Sequence, residues 1–224
     1  MLLAGQTDSE AAYDALANLC KTYWYPLYVF VRRQGQDPEN AKDLVQGFFA
    51  RLLEKNYIKG ADREKGKFRS FLLIALKRFM ADEWDRANRL KRGGGHAFVS
   101  LDEQDTEMRF KNEPADDLSP EKAFNRRWAQ TLLEQVSKAL EAELRAASKG
   151  TLFDELKAFI SGERGSQTYA EIGQQLGMTE ANVKVNVHRM RQRYRELLRL
   201  EIAKTVDRPE AVDEEIQNLF SSLG

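Results

Sequence analysis

Tyr169-Ala-Glu-Ile-Gly-Gln-Gln-Leu-Gly-Met-Thr-Glu-Ala-Asn-Val-Lys-Val-Asn-Val-His188 has the spacing of a helix-turn-helix. Gly177 stands where a tight turn needs a positive φ, and Gly173 where the two helices cross closely. Ile172, Leu176, Met178, Val183 and Val187 supply the small core between them, and Thr179 caps the second helix. That second helix runs on to Arg193. It offers Lys184, Asn186, His188, Arg189, Arg191 and Arg193 to base edges and phosphates. The plain alternative is a solvated surface helix; the glycine spacing combined with a basic outer face favours the DNA-reading one.

Outward from this segment, apolar residues recur at helical spacing and no alternating run of strand length occurs, so the whole chain is predicted to be α. A first helix uses Tyr13, Leu16, Cys20, Tyr23, Trp24, Leu27, Tyr28 and Val31, with Pro26 expected to kink or interrupt it. Asp37-Pro38-Glu39 opens a second as N-cap, first-turn proline and acid, and its stripe of Ala41, Leu44, Val45, Phe48, Phe49, Leu52 and Leu53 is assigned to the core. A third, from about Phe68 to Leu90, buries apolar residues and turns its basic ones outward. Ser119-Pro120-Glu121 starts a long helix carrying Phe124, Trp128, Leu132, Val136, Leu140 and Leu144. A shorter one follows over Leu152 to Ile160. After Asp207 and Pro209, the residues Val212, Ile216, Leu219, Phe220 and Leu223 make an amphipathic C-terminal helix, expected to pack on the second module as ordinary core.

The 224 residues hold 35 Lys and Arg against 35 Asp and Glu, but the zero sum is a cancellation of blocks. Residues 63–92 are net +6, residues 100–121 are net −6, and residues 184–199 carry six basic residues against one acid. The fold class is therefore all-α: two small helical domains joined by an acidic flexible linker, plus a C-terminal helix. The boundaries are 1–95 for the first domain, 96–118 for the linker, 119–200 for the second domain and 201–224 for the C-terminal extension. A single cysteine, Cys20, gives no disulfide framework, and it is expected to be buried and inert on its helix stripe. The start of the chain has neither signal-peptide character nor a run near the ~18 apolar residues of a spanning helix. A cytoplasmic protein without membrane insertion is expected. His96 and His188 lack ligands at metal spacing, Gly93-Gly94-Gly95 follows no strand, and no nucleophile, base and orienter set is visible. No enzymatic activity, cofactor or metal is expected.

Taken with its first module, the chain resembles the extracytoplasmic-function group of sigma-70 RNA polymerase sigma factors, over about Ala12 to Leu200. Thr179-Glu180-Ala181-Asn182-Val183-Lys184-Val185-Asn186-Val187-His188-Arg189-Met190-Arg191 is similar to the family's region 4 recognition segment. Ala41-Lys42-Asp43-Leu44-Val45-Gln46-Gly47-Phe48-Phe49-Ala50-Arg51-Leu52 resembles region 2.2. Gly66-Lys67-Phe68-Arg69-Ser70-Phe71-Leu72-Leu73-Ile74-Ala75 resembles the start of region 2.3. The resemblance implies a sigma factor that directs core polymerase to promoters and starts transcription. It implies polymerase docking through Asp43, Gln46, Gly47, Ala50 and Arg51, and minus-10 contact and melting through Lys77, Arg78, Trp84, Arg86, Arg89, Lys91 and Arg92. Lys184, Val185, Asn186, His188, Arg189, Arg191 and Arg193 would meet the minus-35 element.

The implied partners are core RNA polymerase, through the β′ clamp helices and the β flap, promoter DNA, and an anti-sigma factor. Gly47 departs from the family pattern, since an acid usually follows Gln46 and a helical glycine costs about 1 kcal/mol relative to alanine. Lys77, Val185 and Asn186 depart as well, as does the tail after Leu200. The alternative from another class is an autonomous helix-turn-helix transcriptional regulator acting as a dimer, against which stands the second basic surface within residues 63–92. A weaker third reading makes the basic helix a docking surface for protein.

Overall fold

The computed structural model describes residues 20–54, 68–89, 103–113, 117–161, 167–206 and 208–224, and every regular element among them is a helix. In chain order these are α1 (residues 20–33), α2 (Pro38–Glu54), α3 (Phe68–Arg89), α4 (Glu103–Lys111), α5 (Pro120–Ala146), α6 (Gly150–Leu156), α7 (Ala158–Ser161), α8 (Tyr169–Leu176), α9 (Glu180–Ala203) and α10 (Ala211–Ser221). Two compact units result: residues 1–131 with 205–224, and residues 132–204. The division falls inside α5 instead of at the expected 118/119. None of the described helices is long and apolar enough to cross a membrane.

α1 is the axis of the first unit. Leu27, Tyr28, Val29, Phe30 and Val31 are each at most 1% exposed, so this stretch has no solvent face and must be covered from all sides. Trp24 stacks on Phe49 of α2, Tyr23 meets Phe68 of α3 edge-on, and Tyr28 meets Phe110 of α4 edge-on. Pro26 does not interrupt the helix, which is continuous over 20–33. The cap signals hold: the amide of Asn40 donates to Asp37 Oδ1 at 3.0 Å, and that of Lys122 to Ser119 Oγ at 3.3 Å. Cys20 is half-buried, and desolvation pushes its thiol up to about 11, suppressing the thiolate. Leu44 is only half-buried and so sits at the edge of the α2 stripe. The expected helix over 152–160 is divided between α6 and α7.

Part of the segment expected to be a mobile linker is a docked helix. On α4, Glu107 accepts from Tyr28 and pairs with Arg32 at 2.9 Å. Glu113, just beyond it, accepts from Tyr25 at 2.6 Å and pairs with Arg127 of α5 at 2.6 Å. A charge count reads such residues as solvated; here tyrosine hydroxyls and guanidinium groups of the central bundle supply partners. Phe98 to Leu101 lie outside the described residues.

The C-terminal helix belongs to the first unit, not the second. Its inward face is Val212, Glu215 and Leu219, and Glu215 is 1% exposed. Arg69 of α3 meets it through Nε at 2.8 Å and Nη2 at 3.3 Å, while its Nη1 donates to Asn125 and its guanidinium lies 4.4 Å over the Trp128 ring. Arg69, counted in sequence among outward-facing bases, is thus buried. Burial lowers its pKa, and the Glu215 carboxylate pushes back. The Phe68 amide also reaches the Thr205 carbonyl at 3.3 Å. The apolar tail residues expected inside divide differently: Val212 and Leu219 are buried, but Phe220 is 53% exposed.

Removing one member of a buried pair leaves an uncompensated charge, so Glu215→Ala is expected to destabilise the first unit by about 3–5 kcal/mol; urea melts of wild type and variant measure it. Acid should loosen α4. Burial raises the pKa of Glu107, but hydrogen bonds from Tyr28 and Arg32 outweigh it and hold the carboxyl below its ordinary range. Its stabilisation is therefore full above the unfolded glutamate pKa of about 4.3 and is lost as the pH falls below that through the folded value. Glu107→Gln should flatten the fall in stability below about pH 4.3, measured by denaturant titration at each pH.

Candidate nucleic-acid interface

The second unit builds a helix-turn-helix from α8 and α9. Thr168 and Glu171 form a capping box at the start of α8. Gly177 ends α8 at φ 64°, the left-handed region in which glycine is unstrained. Thr179 then caps α9, accepting from the Asn182 amide at 3.2 Å. Gly173 permits the crossing, since a Cβ there would lie 2.7 Å from the Met178 carbonyl oxygen. Ile172, Val183 and Val187 are buried as expected, while Leu176 and Met178 are half-buried.

α9 is clamped into its unit by two of the residues expected to meet DNA. Arg191 donates through Nε and Nη2 to the Phe159 carbonyl at 3.0 and 2.8 Å. Arg193 grips Glu143 of α5 with two hydrogen bonds, at 2.8 and 2.7 Å, and also pairs with Glu196. The hydrogen bond from Arg193 holds the Glu143 carboxyl below its ordinary range. These contacts tie α9 to the α7 backbone and to α5. Tyr194 adds a bond to the Leu133 carbonyl at 3.2 Å.

The remaining candidates cluster at the N-terminal half of α9. Lys184, His188 and Arg189 are exposed, Val185 is 46% exposed, and Asn186 is half-buried with its amide nitrogen on the Asn182 carbonyl. Lys184 pairs with Glu180 at 2.6 Å, a surface i,i+4 contact of small worth. Arg189 makes no ion pair among the described residues. Ala181, Gln192 and Arg195 share this exposed side, and sequence reading left them off the site although the helical period places them there.

On the first unit, α3 carries the other set. Trp84 is 69% exposed, so the aromatic ring that would ordinarily be core is presented to solvent. Arg78 is exposed, Lys77 pairs with Glu121 at 2.8 Å, and Arg86 pairs with Glu83 at 2.8 Å. Arg89 closes the helix, and Lys91 and Arg92 lie outside the described residues. On α2, Asp43 is exposed, whereas Gln46, Gly47, Ala50 and Arg51 are half-buried. Gly47 packs closely on α3: a Cβ there would come within 3.1 Å of the Phe79 ring, so a side chain would need that ring to give by a few tenths of an ångström. Arg51 is held by Asp82 at 2.9 Å beside an open groove lined by Phe48, Phe71, Ile74 and Arg78.

The ECF sigma factor family model matches residues 10–200 of the chain. No curated protein and no solved structure matches it.

Gly173→Ala should force the Met178 carbonyl aside and cost about 1–3 kcal/mol, seen as a lower melting temperature. Gly47→Ala should stay closer to neutral, because its neighbour is a side-chain ring and the helix gains about 1 kcal/mol of propensity.

Proposed function

The chain belongs to the ECF sigma factor family, and from that membership we propose that it directs core RNA polymerase to a specific set of promoters and starts transcription there. A sigma factor binds polymerase and promoter DNA; the division of labour within this chain is the finer reading. The second unit reads the minus-35 element through Lys184, Val185, Asn186, His188 and Arg189, and it lies beside the β flap. The first unit docks on the β′ clamp helices around Asp43, Gln46 and Ala50 of α2. It meets the minus-10 element and the melted strand along α3 with Arg78, Trp84 and Arg86, and an anti-sigma factor acts on the free protein.

The observation that carries this reading is the helix-turn-helix itself: a left-handed glycine turn, a capped second helix, and an outward face of Val185, His188 and Arg189. The exposed ring of Trp84 supports the strand-binding role, since an aromatic face is worth about 1–3 kcal/mol to a stacked base. The neutral total charge supports action within the polymerase complex, because a chain of zero net charge has little bulk attraction for phosphates. That same neutrality weighs against the autonomous regulator.

Run-off transcription with bacterial core polymerase on a pooled promoter library tests the reading. Discrete start sites that depend on the protein are expected; binding to defined duplexes without polymerase, and no transcripts, would favour the regulator. Arg189→Ala should weaken minus-35 selection by about 1–3 kcal/mol if a bidentate contact to guanine is lost, without shifting the melting curve.

A further inference from the structure

Val185 lies outside the buried stripe of α9. It lies two residues after Val183 and two before Val187, both at most 2% exposed, so it stands on the side of α9 opposite the buried stripe. At 46% exposure it is a β-branched apolar side chain on an otherwise polar outer face. Ala181, one turn earlier on the same ridge, is also exposed, Arg189 continues the ridge one turn later, and Lys184 and His188 flank it. Arg191 and Arg193, which would crowd it with charge further along the helix, are turned to the Phe159 carbonyl and the Glu143 carboxylate. The result is a small apolar patch of Ala181 and Val185 with the cationic Lys184 and Arg189 beside it. In the major groove that pattern has one complement among the base edges: the 5-methyl group of thymine, beside the phosphates that the cations meet.

We infer that Val185 is a specificity-determining residue that contacts the 5-methyl group of one thymine in the upstream element. The inference rests on the assignment of α9 as the minus-35 reader. It commits the element to a thymine at one position on one strand, and it makes that position sensitive to a group with no hydrogen-bonding capacity. A longer or polar side chain at 185 would replace the methyl contact with a different preference, whereas Val185→Thr keeps a methyl group at the same branch point.

The test uses full-length protein assembled with bacterial core polymerase. A pool of duplexes randomised over the upstream element and carrying a fixed downstream region is selected for holoenzyme binding. In the enriched element each thymine is then replaced, singly and on either strand, by deoxyuridine, which removes the methyl group and leaves the pairing edge unchanged. Wild type is expected to lose about fourfold in affinity at one position, the worth of a single buried methyl. Val185→Ala should show no such loss there, and Val185→Thr should retain it. An enriched element at which no deoxyuridine substitution matters, or a loss that persists in Val185→Ala, overturns the inference while the promoter reading stands. No enriched upstream element at all removes the minus-35 assignment and the inference together. A Val185→Ala variant with a lowered melting temperature would reveal a structural role and also overturn it.

Discussion

α1 buries five consecutive residues, Leu27 to Val31, and a helix without a wet face cannot exist until other helices cover it. This requirement organises the first unit. α2 and α3 cover it with Phe49 and Phe68, α4 with Phe110, and the two glutamates of the α4 segment reach Tyr25, Tyr28 and Arg32. The described part of the acidic stretch, α4 and Glu113, is therefore joined to the bundle by hydrogen bonds and ion pairs beside the Phe110 contact. Glu107 and Glu113 are held where they sit because tyrosine hydroxyls and guanidinium groups point at them.

The second dependency is the Arg69–Glu215 pair. Arg69 is 8% exposed and Glu215 1%, and neither would be tolerated alone. Together with Asn125 and the Trp128 ring they join α3, α5 and α10 in one polar knot. Such a pair adds little net stability over a hydrophobic equivalent, but its breakage is costly, so it acts as a register mark for where the chain end docks. The tail is thereby an integral part of the first unit, and the family match stops at residue 200, before α10 begins.

In the second unit the same chemistry serves presentation. Arg191 and Arg193 hold α9 by a backbone carbonyl and by Glu143, and the half of the helix before them is left outward-facing. Basic residues at neighbouring positions thus divide into those tied to other helices of the unit and those left on the outer face of α9. Charge alone does not separate them, because the partners of Arg193 and Arg191 come from α5 and α7, 50 and 32 residues away in sequence.

The sequence by itself determined the all-α class, the caps at Asp37, Ser119 and Thr179, and the helix-turn-helix with its two special glycines. These are local: each depends on residues within a turn or two, where backbone donors, φ preferences and the 3.6-residue period act directly. The motif spacing that resembles the family is likewise local, and the family match bears it out. What only tertiary structure decided is where polar and apolar groups from distant segments meet. Pro26 stayed within a continuous helix, Arg69 and Glu215 went inside, Phe220 remained outside, and the tail joined the first unit. The physical reason is one and the same. A charged group is buried only when its counter-charge arrives from elsewhere in the chain, and an apolar one stays exposed when the stripe that is buried already lies on the opposite face.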